Sequence, residues 1–447
     1  MATSENVMSE VLSPTVQLIS DQSPHGLTIL TTAVFIVGEI AGSGVLALPK
    51  AVNDAGWIGF VIIFGCCILS SFTGSLLGKT WSFVLERYPE HRGHVRYPYP
   101  LIGQIAYGKP GRILVSFCIN FTLFGACVVY LLLAAENVQG LISNFHKDIS
   151  FCYWLLIIAA CLAPLTFLGT PKDFWPVAVG AMTATALACV VLFANMIYDI
   201  PKHPDPPHPS PTFLSFFMAF GTICFAFGGH PAFPTFQMDM KEPKKFGKAA
   251  LLGYLVVLGM YLPVSLGGYF VYGDAVKTNV LNGVSGGGML ITVQLLITIH
   301  LVCGFIIIVN PVSQEVEELL KIPKEFNWKR MVTRTLMVTC ILFVAETIPH
   351  FGAILALVGG STNTILAYIC PPFFYMKMCR MKPDPEQNQD WETVELPLHM
   401  KVWNYEIIVV GIVAGIAASY SAIASMADPN TFTVPCYVNI TAASARG

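Results

Sequence analysis

Long apolar stretches alternate with short polar ones along this chain, and the apolar stretches are longer than a soluble core needs. Trp57–Gly78, Ile113–Ala135, Ile149–Pro171, Phe174–Tyr198, Ala249–Gly273 and Ile407–Ala427 contain no charged residue. Each exceeds the roughly 20 residues that cross the hydrocarbon of a bilayer. Thr28–Pro49 carries one acid, Glu39, and the uncharged runs Pro206–Met238 and Thr278–Gln314 hold one span each. Thr347–Met376 gives another. An eleventh, weaker candidate lies around Met331–Ile348, where Arg334 and Glu346 leave only Thr335–Ala345 uncharged between them.

Basic residues settle the weak candidate. With the N-terminus in the cytosol, 20 Lys and Arg fall in inside loops and 5 outside, the asymmetry that orients membrane proteins. Without span 9, the basic loop after Met376 would move to the wrong face. The pattern predicts an all-α polytopic membrane protein of about 11 transmembrane helices with its C-terminus outside. Residues 1–25 are expected to be a disordered cytosolic segment: they are rich in Ser, Thr and Glu, and they lack the basic start of a cleaved signal peptide. Residues 26–427 form the membrane domain, with helix 11 at about 405–427, and 428–447 a short extracellular or luminal tail. Asn439 opens the glycosylation triplet in that tail, whereas the Asn120 triplet falls inside span 3. Of 13 cysteines most lie within spans, and only Cys152 and Cys436 combine an outer position with possible reach of each other. Spacing alone leaves that disulfide open.

Composition excludes more than it adds. Charged residues make up 12% of the chain, the net charge is -2, and the mean hydropathy is +0.64. A soluble domain, a disordered chain and a nucleic-acid binder are ruled out. The lipid bilayer and a small ligand are the expected partners; the sequence is silent on protein partners.

Two spans are interrupted. Span 1 reads Val37-Gly38-Glu39-Ile40-Ala41-Gly42-Ser43-Gly44-Val45 up to Pro49, and span 6 reads Phe225-Ala226-Phe227-Gly228-Gly229-His230-Pro231 up to Pro234. Glycine costs a helix about 1 kcal/mol relative to alanine and proline about 3 kcal/mol. Irregular backbone at membrane depth is tolerated only against protein or a water-filled cavity. Close helix packing is the bland alternative for Gly42 and Gly44. The five-span separation argues for a site, because inverted repeats of five helices place paired breaks in the first helix of each half. The repeats would be residues 26–200 and 211–376.

These residues carry a resemblance. Gly42-Ser43-Gly44-Val45-Leu46-Ala47-Leu48-Pro49 with Ala51 and Ala55-Gly56-Trp57 looks like the first-helix signature of the amino acid/auxin permease family. Phe225 to Pro231 with Pro234, Gln237, Asp239-Met240 and Pro243 resembles its sixth helix, and Asn310-Pro311-Val312 with Gln314 fits the end of span 8. The resemblance implies the five-plus-five inverted-repeat transporter fold and secondary active transport of amino acids, without a cofactor.

The site follows from the ligand's chemistry. Backbone N–H groups freed at Gly42, Ser43 and Gly44 would suit a carboxylate at a helix N-terminus. Free carbonyls at the first half-helix and near Phe227, Gly228 and Gly229 would suit the ammonium, and Phe225, Phe227 and Phe233 could bound the side chain. Coupling needs an ionisable group at depth. Glu39, about 16 Å into span 1 at 1.5 Å per residue, His230 in the second break and His300 in span 8 are the candidates, each with a structural hydrogen bond as its alternative. Glu136, Glu346 and Asp239 lie nearer span ends. A sodium site in this fold is expected between helices 1 and 8, yet span 8 offers Thr292 and Thr298 without a hydroxyl pair at mid-depth. Protons are therefore favoured over sodium as coupling ion. No metal helix or acid pair suggests an enzyme. An amino acid sensor of the same fold is the main alternative, ahead of a channel. The plasma membrane is expected ahead of a lysosomal or vesicular membrane.

Overall fold

The computed structural model describes residues 26–93, 95–142, 149–167, 175–323, 325–383, 391–428 and 434–440. Residues 1–25, where the disordered segment is expected, lie outside this description. Secondary structure is helical throughout apart from one isolated bridge, Leu27 to Met240. Fourteen α-helices cover the described residues. The first two, α1 (Ile29–Ile40) and α2 (Gly44–Ala55), bend by 66° about Ala41-Gly42-Ser43 and together make span 1. Then follow α3 (Ile58–Arg87), α4 (Pro98–Ile142), α5 (Phe151–Leu165) and α6 (Trp175–Asp199). The second half begins with α7 (Phe213–Ala226) and a short α8 (Phe233–Met238), separated by the predicted break. After them come α9 (Phe246–Gly267), α10 (Gly288–Leu319) and α11 (Trp328–Thr347). Helix α12 (Phe351–Val358) runs through two wide turns, Gly359–Asn363 and Ile365–Ile369, into α13 (Cys370–Arg380), and α14 (Leu398–Ala427) ends the bundle.

Eight described helices are long and apolar enough to span a bilayer, nine with the bent pair α1–α2 counted as one. The other two predicted spans fall on α5, fifteen apolar residues ahead of a stretch outside the description, and on α11. The arginines of α11 are accommodated by pairing. Arg334, 1% exposed, donates through Nε to Glu317 Oε1 at 2.6 Å, through Nη2 to Asn310 Oδ1 at 2.9 Å and through Nη1 to the Thr166 carbonyl. A buried charge persists only when paired and hydrogen-bonded in this way.

Contacts gather the polar loops onto two faces. On one, Lys244 pairs with Glu86 at 3.1 Å, Arg96 with Glu318 at 3.4 Å, and Arg87 donates to the Met378 carbonyl at 2.5 Å. Leu27 joins the same face through Leu27 N–H to Asp239 O, 2.7 Å, and Lys241 N–H to Leu27 O, 2.9 Å. The basic loops assigned to the cytosol are thus neighbours of one another and of the chain ahead of α1. On the opposite face Cys152, at the start of α5, is joined to Cys436 by a disulfide. The Cys436 N–H donates to the Glu346 carbonyl at the end of α11, 2.8 Å. Asn120 lies within α4, bonded to Ser116 O and Glu315, while Asn439 is exposed on the disulfide side.

Candidate functional site

The two breaks lie against each other at the centre of the bundle. A Cβ built on Gly44 would stand 2.8 Å from the Ala226 backbone, and one on Gly229 would stand 2.7 Å from Ile40 Cγ1. Only residues without a side chain permit such an approach. Gly228 abuts the Asn363 amide, and its Cβ would sit 2.5 Å from Oδ1.

Carbonyls released by the breaks are taken up by side chains from elsewhere. The Tyr261 hydroxyl on α9 lies 2.8 Å from the Ile40 carbonyl and 3.1 Å from the Ala226 carbonyl, shared between the ends of α1 and α7. Tyr254 donates to Phe227 O at 3.1 Å, and Asn363 donates to Cys224 O at 2.7 Å. Buried backbone groups must find partners, and here tyrosine and asparagine provide them. The Ile40, Ala226 and Phe227 carbonyls, among those assigned to an ammonium, are therefore already engaged in this conformation. Sequence reading missed Tyr254, Tyr261 and Asn363. Nothing local marks them, since Tyr261 is 221 positions from Ile40.

The start of α2 is organised differently. Val45 N–H reaches Gly42 O at 3.3 Å and Leu46 N–H reaches Ser43 O at 3.2 Å, and these are the first bonds of the second half-helix. Ser43 is 2% exposed and its Oγ has no hydrogen-bond partner among the described residues. The Tyr130 hydroxyl of α4 faces the Ser43 backbone, and a Cβ on Gly42 would stand 2.5 Å from that hydroxyl and 3.1 Å from His300 Nε2.

The three ionisable candidates are not brought together. His300 meets Tyr130 at 3.5 Å and the Ala181 carbonyl at 3.2 Å. Glu39 is half-buried on α1, close enough for its charge to act on Tyr130 but with no hydrogen bond or ion pair among the described residues. His230 lies on the other side of the breaks, fully buried, with Nε2 3.0 Å from Thr73 Oγ1 and Nδ1 unpartnered among the described residues. Of the predicted aromatic walls, Phe227 and Phe233 are buried and packed on Tyr254, Tyr261 and Phe246, and Phe225 is half-buried. Among the described residues no three His, Cys, Asp or Glu side chains converge to hold a metal ion. Thr292 and Thr298 donate to carbonyls of their own helix.

A cavity of about 520 Å³ leads toward the breaks from the disulfide face. Ala47 and Thr222 in its wall lie about one helical turn from Gly44 and Ala226, Ala51 and Ala219 about two, and Lys50, Glu136, Lys277 and His350 sit among its polar lining. The cavity thus approaches the paired broken helices from the disulfide face.

Comparison with known proteins decides the family. Residues 25–423 match the family described as transmembrane amino acid transporter protein. The chain belongs to that family. Two of this family's Arabidopsis thaliana relatives are Amino acid transporter AVT1B and Lysine histidine transporter-like 3. AVT1B is 26% identical, over 92% of this chain and 72% of its own length. Lysine histidine transporter-like 3 is 24% identical, over 77% and 80%. Among solved structures, MhsT in complex with L-phenylalanine superposes with a TM-score of 0.55 at 12% identity, covering 88% of this chain and 98% of that one. The Eremococcus coleocola manganese transporter gives 0.52 at 14%, covering 93% and 90%. These two establish the fold. This member of the transmembrane amino acid transporter family is a multi-pass membrane protein, not an enzyme.

Proposed function

We propose that this transporter moves its amino acid by proton-coupled symport, with the two half-helix pairs alternately exposing one central site. The observation that carries the coupling ion is the His300 imidazole, which stands against Gly42 where a sodium site would need oxygen ligands. The nearest hydroxyl there, Tyr130, faces that imidazole, and Thr292 and Thr298 bond their own helix. In this reading Gly42 and Ser43 hold the carboxylate, and Glu39, His230 and His300 are the groups able to exchange a proton. Gly44, Phe225, Phe227, Gly228 and Gly229 shape the space around the two breaks. The plasma membrane is the proposed location, with the cavity and Asn439 facing outward; staining of intact cells against an outer-face tag tests it.

The deciding experiment is uptake into proteoliposomes at fixed pH with sodium replaced by choline. Uptake should be unchanged by the replacement and accelerated by an inward proton gradient. Loss of uptake in choline would overturn proton coupling in favour of sodium. Binding of amino acids without any uptake or exchange would favour a sensor.

A further inference from the structure

His300 and Tyr130 meet where α1 gives way to α2. His300 Nδ1 lies 3.2 Å from the Ala181 carbonyl oxygen, which can only accept. Nδ1 therefore carries the hydrogen, and in the neutral imidazole Nε2 keeps a lone pair. The Tyr130 hydroxyl, 3.5 Å from Nε2, is the donor of that pair. Its oxygen faces the Ser43 backbone on the other side. Tyr130 is 6% exposed, His300 3% and Ser43 2%, so the hydroxyl, the imidazole and the first residues of the break share one small, dry volume. The contact to Nε2 is at the long end of hydrogen bonding, which leaves the hydroxyl free to turn.

We propose that Tyr130 links the proton to the substrate: its hydroxyl donates to His300 while the imidazole is neutral, and to the amino acid's carboxylate once His300 is protonated. This rests on the proton-coupled reading above. A proton arriving on Nε2 converts an acceptor into a donor. Tyr130 must then accept from His300, and its own hydrogen needs a new acceptor. A carboxylate at the Gly42-Ser43 backbone supplies one, and it also neutralises the buried imidazolium. The unpartnered Ser43 Oγ gives the same carboxylate a second donor. Without a carboxylate, protonation leaves an unpaired buried cation and an unsatisfied hydroxyl, both costly. Each ligand therefore raises the affinity for the other, as linkage requires.

The other titratable groups around the pair are Glu39 on α1, Cys127 on α4 and Tyr261 on α9, with Cys189 on α6 beyond Tyr261. Glu39 is the one carboxyl in this set. Its charge acts on Tyr130 through space and not through a hydrogen bond, so it leaves the hydroxyl's hydrogen to His300 in the empty transporter.

The test is amino acid binding to the purified, sodium-free transporter between pH 8 and pH 5. The twenty standard L-amino acids serve as probes, and the tightest is carried forward with its methyl ester. Tyr130→Phe removes the hydroxyl and keeps the ring seated against Gly304. His300→Gln provides a second variant, and unliganded thermal unfolding verifies that both are folded. Affinity of the unmodified protein should rise as pH falls, by about tenfold or more, within the range usual for coupled sites. Tyr130→Phe and His300→Gln should each bind weakly with little pH dependence, and the ester should show no rise. A folded Tyr130→Phe protein with the full pH response, or an ester that responds like the acid, overturns the proposal and leaves proton coupling standing. An unmodified protein driven by sodium in choline exchange instead removes the reading beneath it.

Discussion

Gly42 and Gly44 stand two positions apart and meet different neighbours. A side chain at Gly44 would strike the Ala226 backbone, which cannot turn aside, whereas one at Gly42 would meet the end of Tyr130 and the edge of His300. Gly44→Val is therefore expected to lower stability, by about 1–3 kcal/mol as overpacking usually does. Gly42→Ala is expected to weaken amino acid affinity more than stability. Thermal unfolding of both purified variants, with and without amino acid, separates them; a Gly44→Val protein as stable as its parent would show that the two breaks part easily. Glycine and proline clusters made both breaks legible in the sequence. Which glycine packs and which faces the interior was not legible, because that depends on helices contributed from far along the chain.

At the scale of the element, α11 is where composition and structure diverge most. Its arginines made it the weakest of the predicted spans, yet they belong to a buried cluster with Glu317, Asn310 and Thr166 that ties α11 to α10 and to the end of α5. Charge in a span reads as a penalty until its partner is known, and the partner here is 17 residues away on another helix. Arg334→Met should cost toward the lower end of about 3–5 kcal/mol, because Arg330, 3.4 Å from Glu317, stays behind to share the carboxylate. Adding Glu317→Gln to that variant should recover part of the loss in thermal unfolding. No recovery would mean that Arg334 acts through packing alone. The wide turns between α12 and α13 escaped sequence reading for a related reason. Gly359 and Gly360 look like ordinary small residues, and their role appears only where Gly359 touches the Gly221 carbonyl and Asn363 reaches Cys224.

Across the whole molecule, the order of the helices and the two-faced arrangement of loops followed from hydropathy and basic residues, since both reflect the bilayer rather than any one contact, and eight or nine of the eleven expected spans are long and apolar enough among the described residues. The disulfide did not follow from either, because distance is invisible in spacing. The cavity face carries His350, between α11 and α12, whose imidazole is pushed below the usual 6.5 by burial. A base depressed in the folded state binds fewer protons there than in the unfolded chain. Its contribution to stability is therefore complete above pH 6.5 and lost as pH falls below it. Thermal unfolding between pH 8 and pH 5 should show His350→Gln losing less stability on acidification than the parent. Equal losses would place the acid sensitivity elsewhere.

The bridge between Leu27 and Met240 has a different character from the rest of the basic face. It is formed by peptide groups alone, Leu27 N–H to Asp239 O and Lys241 N–H to Leu27 O. Peptide groups do not titrate, and dissolved ions screen charges far more than they weaken hydrogen bonds between neutral groups. A contact held this way keeps its strength whatever the acidity or ionic strength of the surrounding compartment. In the proposed orientation this one tie holds steady on the cytosolic face, while the ion pairs Lys244–Glu86 and Arg96–Glu318 beside it weaken as salt rises.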